Sequence, residues 1–223
     1  MTVLLRDERE GWVRLTLHRP EKRNALSIEL RDAVADALDE LAGDESVKGV
    51  AMTGSGSSFS AGWDLAEFAA AGDDDDLARR IWASGDRFHH ALLTFPLPLV
   101  AAINGPALAG GFDLAVCCDV RIASTTARFA HPEFTWADVV YGPLAAIVGG
   151  GTARDLTLTG RQLDARDALR VGLVSEICDP SELEATLGEI MARVASAPRD
   201  ALMRTKAKAV RRAAIDLGGT LDL

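Results

Sequence analysis

The chain has 223 residues, of which 48% are hydrophobic and 26% charged, and its formal net charge is −9 at pH 7. This size and composition indicate one globular domain with a full hydrophobic core and exclude a disordered or fibrous chain. The negative charge, without a large basic face, argues against sequence-independent nucleic-acid binding. No segment approaches the roughly 18 apolar residues of a membrane span or the apolar part of a signal peptide. We therefore expect a cytoplasmic protein that binds neither nucleic acids nor membranes.

Hydrophobic periodicity predicts an alternation of short strands and amphipathic helices. In chain order, strands are predicted over residues 12–17, 47–53, 97–103 and 119–123, and helices over 27–41, 64–71 and 110–118, with a further helix between an acidic loop at 73–76 and about residue 94. Strand, strand, helix units that recur about every fifty residues fit a right-handed ββα spiral better than a doubly wound sheet. No linker divides this part of the chain into two large domains.

Two glycine-containing turns stand out, each between an apolar strand and a helix. Residues 59–68 read FSAGWDLAEF, and residues 104–119 read NGPALAGGFDLAVCCD. A helix start presents unpaired backbone N–H groups, and glycine lets a substrate oxygen approach them closely. The pair of turns therefore predicts an oxyanion hole that grips one carbonyl oxygen from two sides.

These two turns, with three further segments in the same order, resemble the crotonase superfamily, the enoyl-CoA hydratase/isomerase family. The further segments are PEKRNALS at 20–27, ARFAHPEF at 127–134 and LTGRQLDARDALRVGLVSEI at 158–177. The resemblance covers roughly residues 10–180. It implies an α/β crotonase-like ββα spiral over residues 1–180, followed by a short C-terminal helical region over 181–223.

The resemblance also implies roles for individual residues. In the family, the oxyanion-hole donors correspond to the backbone N–H groups of Trp63 and Gly110, and the acid/base glutamate corresponds to Glu133. The residues implied to lie along coenzyme A are Lys22, Arg23 and Ala25 at the phosphates and pantetheine, and Ala61, Asp64 and Leu65 around the adenine. Coenzyme A is then part of the substrate, and no separate cofactor is expected.

Asp113 is the second candidate carboxylate. It lies three residues after Gly110, about one helical turn from the predicted hole. The family's hydratases usually carry glutamate here, so this side chain is one methylene shorter. The alternatives are that Asp113 only stabilises a helix N-terminus and that Glu133 is a solvated surface residue.

Other chemistries find less support in the sequence. The segment GSGSS at 54–58 lacks the lysine and hydroxyl ending of a phosphate-binding P-loop, and the chain has no nucleophile elbow. The histidines lack metal-ligand spacing, and no metal site is expected. His89 and His90 are predicted on a helix surface, and His131 is predicted to be a pocket-wall or structural residue. The three cysteines, Cys117, Cys118 and Cys178, are expected to be reduced core residues.

The sequence thus predicts an enzyme that stabilises the enolate of an acyl-CoA thioester. Enoyl-CoA hydratase is the first reading, with dienoyl- or enoyl-CoA isomerase and acyl-CoA decarboxylase as alternatives, and a non-catalytic acyl-CoA-binding or scaffold protein as an alternative of another class. Whether Asp113 and Glu133 face one cavity beside the two donors separates these classes. The family resemblance and a cluster of apolar residues predict a homotrimer or hexamer. The cluster comprises Trp136, Val139, Val140, Tyr141 and Leu144.

Overall fold

The computed structural model describes residues 2–213 and 219–223 of the chain. The strands are β1 (Leu4–Arg9), β2 (Trp12–Leu17), β3 (Val50–Gly54), β4 (Leu99–Ile103), β5 (Ala107–Leu108), β6 (Val120–Ser124), β7 (Arg128–Ala130), β8 (Leu163–Asp164) and β9 (Glu176–Cys178). The α-helices are α1 (Ile28–Gly43), α2 (Leu65–Ala71), α3 (Asp75–Thr94), α4 (Gly110–Cys117), α5 (Gly142–Thr159), α6 (Ala165–Arg170), α7 (Leu183–Ser196) and α8 (Arg199–Ala213). Single turns of 3₁₀ helix occur at Pro20–Lys22, Pro132–Thr135 and Thr220–Asp222.

Two sheets organise these elements. The larger sheet has the strand order β1-β2-β3-β4-β6-β9, and every neighbouring pair in it is parallel except β1 with β2. The smaller sheet has the order β5-β7-β8. Strands β5 and β7 pair in parallel, so the chain segments that follow them, which begin α4 and the Pro132–Thr135 turn, leave the sheet side by side.

Helices cover both faces of the larger sheet, and alternate residues of each strand enter different cores. In β3, Val50 and Met52 pack into the larger core with α1 and α3, whereas Ala51 packs against Leu187 and Met191 of α7. A parallel strand covered on both faces is apolar along its buried length, which is why residues 50–52 of β3 and all of β4 are hydrophobic. Helix α7 therefore completes the smaller core, and the predicted boundary at residue 180 stays a prediction.

Helix α1 shows how local sequence sets the position of an element near the site. Ser27 caps it, because its hydroxyl oxygen accepts a hydrogen bond from the backbone N–H of Leu30 at 3.3 Å. Its apolar residues, spaced by three or four, are all buried in the larger core: Leu30, Val34, Leu38 and Leu41. The helix is thus held against the sheet with Arg31 directed inward, where it is fully buried.

Several predicted elements differ from the structure. The acidic run is not a loop, because Asp74 caps α3 and Asp75 and Asp76 form its first turn, where acidic residues are favoured. The strand predicted from residue 47 begins only at Val50, after a turn in which the Val47 N–H donates to the Asp44 carbonyl. Strand β1 was not predicted, since its charged residues suit an exposed sheet edge and give no apolar alternation.

Three side-chain predictions are also wrong. His89 is not on a helix surface but is buried, with its Nδ1 3.1 Å from the hydroxyl oxygen of Thr220. Val140 and Leu144 are core residues and not part of an exposed apolar cluster, whereas Trp136 is 68% exposed. The reason is the start of α5, which turns these two side chains inward against the larger core.

Candidate active site

A cavity of about 600 Å³ lies between α2, α3, the start of α4 and the segment that follows β7. These elements contribute the following lining residues: Leu65 and Phe68 of α2, Trp82 of α3, Asp113 of α4, and Pro132, Glu133 and Trp136 of the segment after β7. Ala61, Trp63 and Ala109 line it as well. Three of the chain's four tryptophans therefore contribute to one cavity.

The two glycine turns predicted to form one site do meet at this cavity. The Leu26 N–H donates to the Gly62 carbonyl at 2.8 Å, and the Leu108 N–H donates to the Ser60 carbonyl at 3.0 Å, so the first turn is held on both sides. A Cβ atom on Gly62 would lie 3.0 Å from the Gly110 nitrogen. The turns approach each other so closely that only a glycine fits at residue 62.

Both turns carry unusual backbone conformations. Gly62 has φ of 89°, and Ala109 has φ of 50° with ψ of −133°, a region that residues with a side chain rarely adopt. Neither the Trp63 N–H nor the Gly110 N–H donates a hydrogen bond to another residue in the described part of the chain. Strained backbone beside unused donors is a recurring feature of functional sites.

The side chain of Trp63 occupies the space above Gly110. A Cβ atom on Gly110 would lie 2.5 Å from Cδ1 and 2.7 Å from Nε1 of the indole. The glycine at 110 is therefore required by the packing of Trp63, a reason that the sequence did not reveal. On its other sides the indole packs against Phe68 and Trp82, each with ring centroids 5.7 Å away.

Arg31 supports the same indole from beneath. Its guanidinium carbon lies 4.3 Å from the Trp63 ring centroid, and its nitrogens donate to the Leu26 carbonyl at 2.5 Å and to the Ser84 hydroxyl at 3.2 Å. Burial lowers the pKa of Arg31 to about 10, although Glu67 opposes this effect. The guanidinium remains protonated at neutral pH. Its hydrogen bonds connect α1 to Ser84 of α3 and to Leu26, whose N–H bonds to the Gly62 carbonyl.

Asp113 and Glu133 both line this cavity, as expected for the two carboxylates of an active site. Asp113 lies in the first turn of α4, and its Oδ1 is 2.8 Å from Nε2 of His131. His131 is buried and its ring stacks on Phe112, with centroids 4.6 Å apart and planes 25° apart. Burial lowers the pKa of His131, but the hydrogen bond and the charge of Asp113, with the charge of Glu133, outweigh it and raise the pKa overall.

Glu133 lies in the Pro132–Thr135 turn and is 7% exposed. Burial raises its pKa to about 7, with Asp113 adding to the increase and His131 opposing it. Its Oε2 is buried and has no hydrogen-bond partner among the described residues. A carboxyl group of this kind can exchange a proton at neutral pH, so the alternative of a solvated surface residue is wrong.

Asp113, His131 and Glu133 form the one group of side chains in the described residues whose ligand atoms lie close enough together to bind a metal ion. One ligand atom each from Asp113, His131 and Glu133 lies within 4.8 Å of the others. However, His131 and Asp113 already satisfy each other by a direct hydrogen bond at 2.8 Å, which a metal would have to replace. Only Asp113 and Glu133 of the three line the cavity.

The residues implied to bind coenzyme A separate into two groups. Ala61 and Leu65 line the cavity, and Leu65 is 60% exposed. Lys22 and Arg23 are exposed in the turn before α1 and do not line it, and the Ala25 carbonyl accepts a hydrogen bond from Arg19 at 2.5 Å. Asp64 is engaged structurally, since it caps α2 and pairs with Arg19 at 2.8 Å.

Three residues that support the site were not identified from the sequence as doing so. Asn24, with φ of 54°, donates to the carbonyls of Ser55 at 2.9 Å and Ser58 at 2.8 Å and so joins the first segment to the GSGSS loop. The other two are Arg31 and Ala109. A charged residue at an inward position of α1 was the one available signal for Arg31, because buried arginine is rare without partners.

Comparison with known proteins gives a consistent result. The sequence model of a family described as enoyl-CoA hydratase/isomerase matches residues 7–219. A putative enoyl-CoA hydratase of Thermus thermophilus is 40% identical over 172 residues, which are 74% of this chain and 67% of that protein. A short-chain-enoyl-CoA hydratase of Clostridium acetobutylicum is 36% identical over 196 residues, 85% of this chain and 74% of that protein.

Among solved structures, an enoyl-CoA hydratase/isomerase from Xanthobacter autotrophicus Py2 superposes with a TM-score of 0.87. It is 32% identical in sequence, and the match covers 95% of this chain and 80% of that one. The predicted α/β ββα spiral is thereby confirmed as the fold class.

Proposed function

The chain belongs to the enoyl-CoA hydratase/isomerase family, and on that premise we propose that it adds water to the double bond of an enoyl-CoA thioester. The observation that carries the proposal is the meeting of the Gly62–Trp63 and Ala109–Gly110 turns beside a cavity that also holds Asp113 and Glu133. The relatives named as enoyl-CoA hydratases, at 40% and 36% identity, support hydration as the reaction.

In this proposal the thioester oxygen accepts hydrogen bonds from the backbone N–H groups of Trp63 and Gly110. Negative charge accumulates on this oxygen when the thioester becomes an enolate, and donors already in place stabilise it without reorganisation. Each such donor is typically worth roughly 3 kcal/mol of transition-state stabilisation. Neither group donates a hydrogen bond to another of the described residues, which supports this assignment.

Proton transfer is assigned first to Glu133 and second to Asp113. The oxygen of water bonds to the β-carbon and gives one proton to a carboxylate, while the α-carbon receives a proton from the acid. A pKa of about 7 suits Glu133 to either half of this exchange. A carboxylate oxygen of Asp113 lies within 4.8 Å of one of Glu133, and one water molecule can contact both oxygens at this separation.

Binding of the coenzyme is proposed for the residues that the family resemblance indicates. Lys22, Arg23 and the Ala25 backbone would lie along the phosphates and pantetheine, and Ala61, Asp64 and Leu65 around the adenine. The exposure of Lys22 and Arg23 leaves both cations available to phosphates. Asp64 already pairs with Arg19 and caps α2, so its proposed contribution is to shape the turn.

Isomerisation of a dienoyl- or enoyl-CoA is the second candidate, and one observation favours it. Residue 113 is an aspartate, one methylene shorter than the glutamate that the family's hydratases usually carry at this position. A turnover screen with a panel of enoyl-, dienoyl- and malonyl-type CoA esters tests the choice. Hydration of the short enoyl ester supports the proposal, conversion of the dienoyl ester alone replaces it with isomerisation, and loss of carbon dioxide from the malonyl ester indicates decarboxylation. No turnover with any ester would leave the non-catalytic acyl-CoA-binding role.

We also propose a homotrimer or hexamer in the cytoplasm. The exposure of Trp136 and Leu158, at 68% and 72%, supports association, because large apolar side chains at such exposure favour burial in an interface. The three cysteines are all free thiols, which suits a reducing compartment. No helix in the described part of the chain has the length and apolar character needed to cross a bilayer.

A further inference from the structure

We propose that His131 is a positioning residue of this site: its Nε2–H holds Oδ1 of Asp113, so that Oδ2 is presented beside Glu133 to the reacting water. The inference rests on the proposed hydratase function and adds to it a residue that the family resemblance did not assign. Its basis is the geometry of one buried contact between two structural elements.

The contact is short, buried and held in orientation. Nε2 of His131 lies 2.8 Å from Oδ1 of Asp113, and the two side chains are 0% and 6% exposed. His131 follows β7 and Asp113 belongs to α4, so the contact joins the two segments that carry the candidate carboxylates. The stack on Phe112, with planes 25° apart, fixes the plane of the imidazole and therefore the direction in which Nε2 points.

His131 acts through Asp113 and not on the substrate. It is 1% exposed and does not line the cavity, whereas Asp113 and Glu133 do. Both the imidazolium and the Nε2–H neutral tautomer donate a hydrogen bond from Nε2. The contact therefore survives a change in the protonation of the ring, and what His131 contributes is the orientation of a neighbouring carboxylate.

Asp113 needs this support for two physical reasons. Its side chain is short, so its oxygens reach a water molecule that also contacts Glu133 in few orientations. In addition, two carboxylates that share a poorly solvated cavity repel each other when both are ionised, and this repulsion favours a rotation of Asp113 away from Glu133. A donor fixed on Oδ1 opposes both effects and leaves Oδ2 as the oxygen of Asp113 without a partner in the described residues.

Two substitutions of similar size distinguish positioning from packing. In His131→Gln the amide nitrogen can take the place of Nε2 and still donate to Asp113. In His131→Asn the amide nitrogen takes the place of Nδ1 and cannot reach it. We expect His131→Gln to hydrate crotonyl-CoA within about threefold of the wild-type kcat, because the donor is kept. We expect His131→Asn and His131→Leu to lose about 10²-fold in kcat, the usual effect of a misplaced catalytic group, with KM little changed.

A double-mutant cycle provides the second readout. If His131 acts only through Asp113, then adding His131→Asn to Asp113→Asn lowers kcat no further. Circular dichroism shows whether each variant is folded. If His131→Leu does not fold, the comparison of His131→Gln with His131→Asn still tests the proposal.

Two results would overturn the role of His131 alone. One is an active wild type with an unchanged His131→Asn kcat, and the other is an equal loss from His131→Asn with and without Asp113→Asn. Wild-type protein that turned over no ester of the panel would overturn the proposed function, and this role with it.

Discussion

At the scale of single residues, Glu133 connects burial with chemistry. Its pKa rises from 4.5 to about 7 because the carboxylate form is poorly solvated in the cavity. The same penalty acts on folding, since a carboxyl group with a higher pKa in the folded state favours folding only while it is protonated. Stability contributed by this group is therefore present below pH 4.5 and is lost as the pH rises through about 7.

This linkage gives a prediction for Glu133→Gln, which cannot ionise. Relative to the variant, the wild-type protein should lose stability as the pH rises from 4.5 to about 7, and the difference should then stay constant. Thermal unfolding of both proteins in a series of buffers measures it. A difference in Tm that does not change with pH would show that the carboxyl group is not perturbed by burial.

Gly110 gives a second residue-scale prediction, because an added methyl group would meet the Trp63 indole at 2.5 Å. Gly110→Ala should lower the free energy of unfolding by about 1–3 kcal/mol, the usual cost of overpacking, and should also lower turnover. Gly188→Ala is the matched control, since a Cβ there meets nothing within 4 Å in helix α7. It should gain roughly 0.5–1 kcal/mol from helix propensity. Chemical denaturation of the two variants compares these effects, and equal stabilities would refute the close packing of Trp63 over Gly110.

At the scale of elements, the turn into α4 stores backbone strain at Ala109, which has φ of 50° and ψ of −133°. Ala109→Gly should be at least as stable as wild type, because relief of about 1–3 kcal/mol of strain offsets the greater freedom of glycine in the unfolded chain. Ala107→Gly, at a fully buried position of β5 without positive φ, should lose stability. The melting temperatures of the two variants test this prediction, and an equal decrease in both would mean that Ala109 is unstrained.

The elements also show why some features could be predicted from the sequence and others could not. The two glycine turns, the cap at Ser27 and the apolar face of α1 depend on neighbours within about one turn, so the printed order of residues reveals them. The burial of His89 and its contact with Thr220 join residues 131 positions apart, and no local pattern predicts such a contact. The same holds for the hydrogen bond of His131 to Asp113 and for Arg31 beneath Trp63, which depend on how helices pack.

At the scale of the whole molecule, the predicted association involves fewer residues than the sequence indicated. Val140 and Leu144 of the predicted cluster are buried, and Trp136 is its one large apolar side chain that is exposed; Phe134 and Leu158, outside the cluster, are exposed as well. We still expect a trimer or hexamer, since large apolar side chains at this exposure favour burial by a second subunit. Light scattering at micromolar concentration should give three or six times the 23.7 kDa chain mass, and a stable monomer of 23.7 kDa would contradict the prediction.

The central claim is that Glu133 transfers the proton in the hydration of an enoyl-CoA thioester. The most direct test is the rate at which wild type and Glu133→Gln hydrate crotonyl-CoA, measured beside the binding of the ester to each. We predict that the variant folds and binds the ester like wild type but turns it over roughly 10²–10⁴ times more slowly, the usual contribution of general acid–base catalysis. A Glu133→Gln protein that hydrates the ester at the wild-type rate would contradict the account.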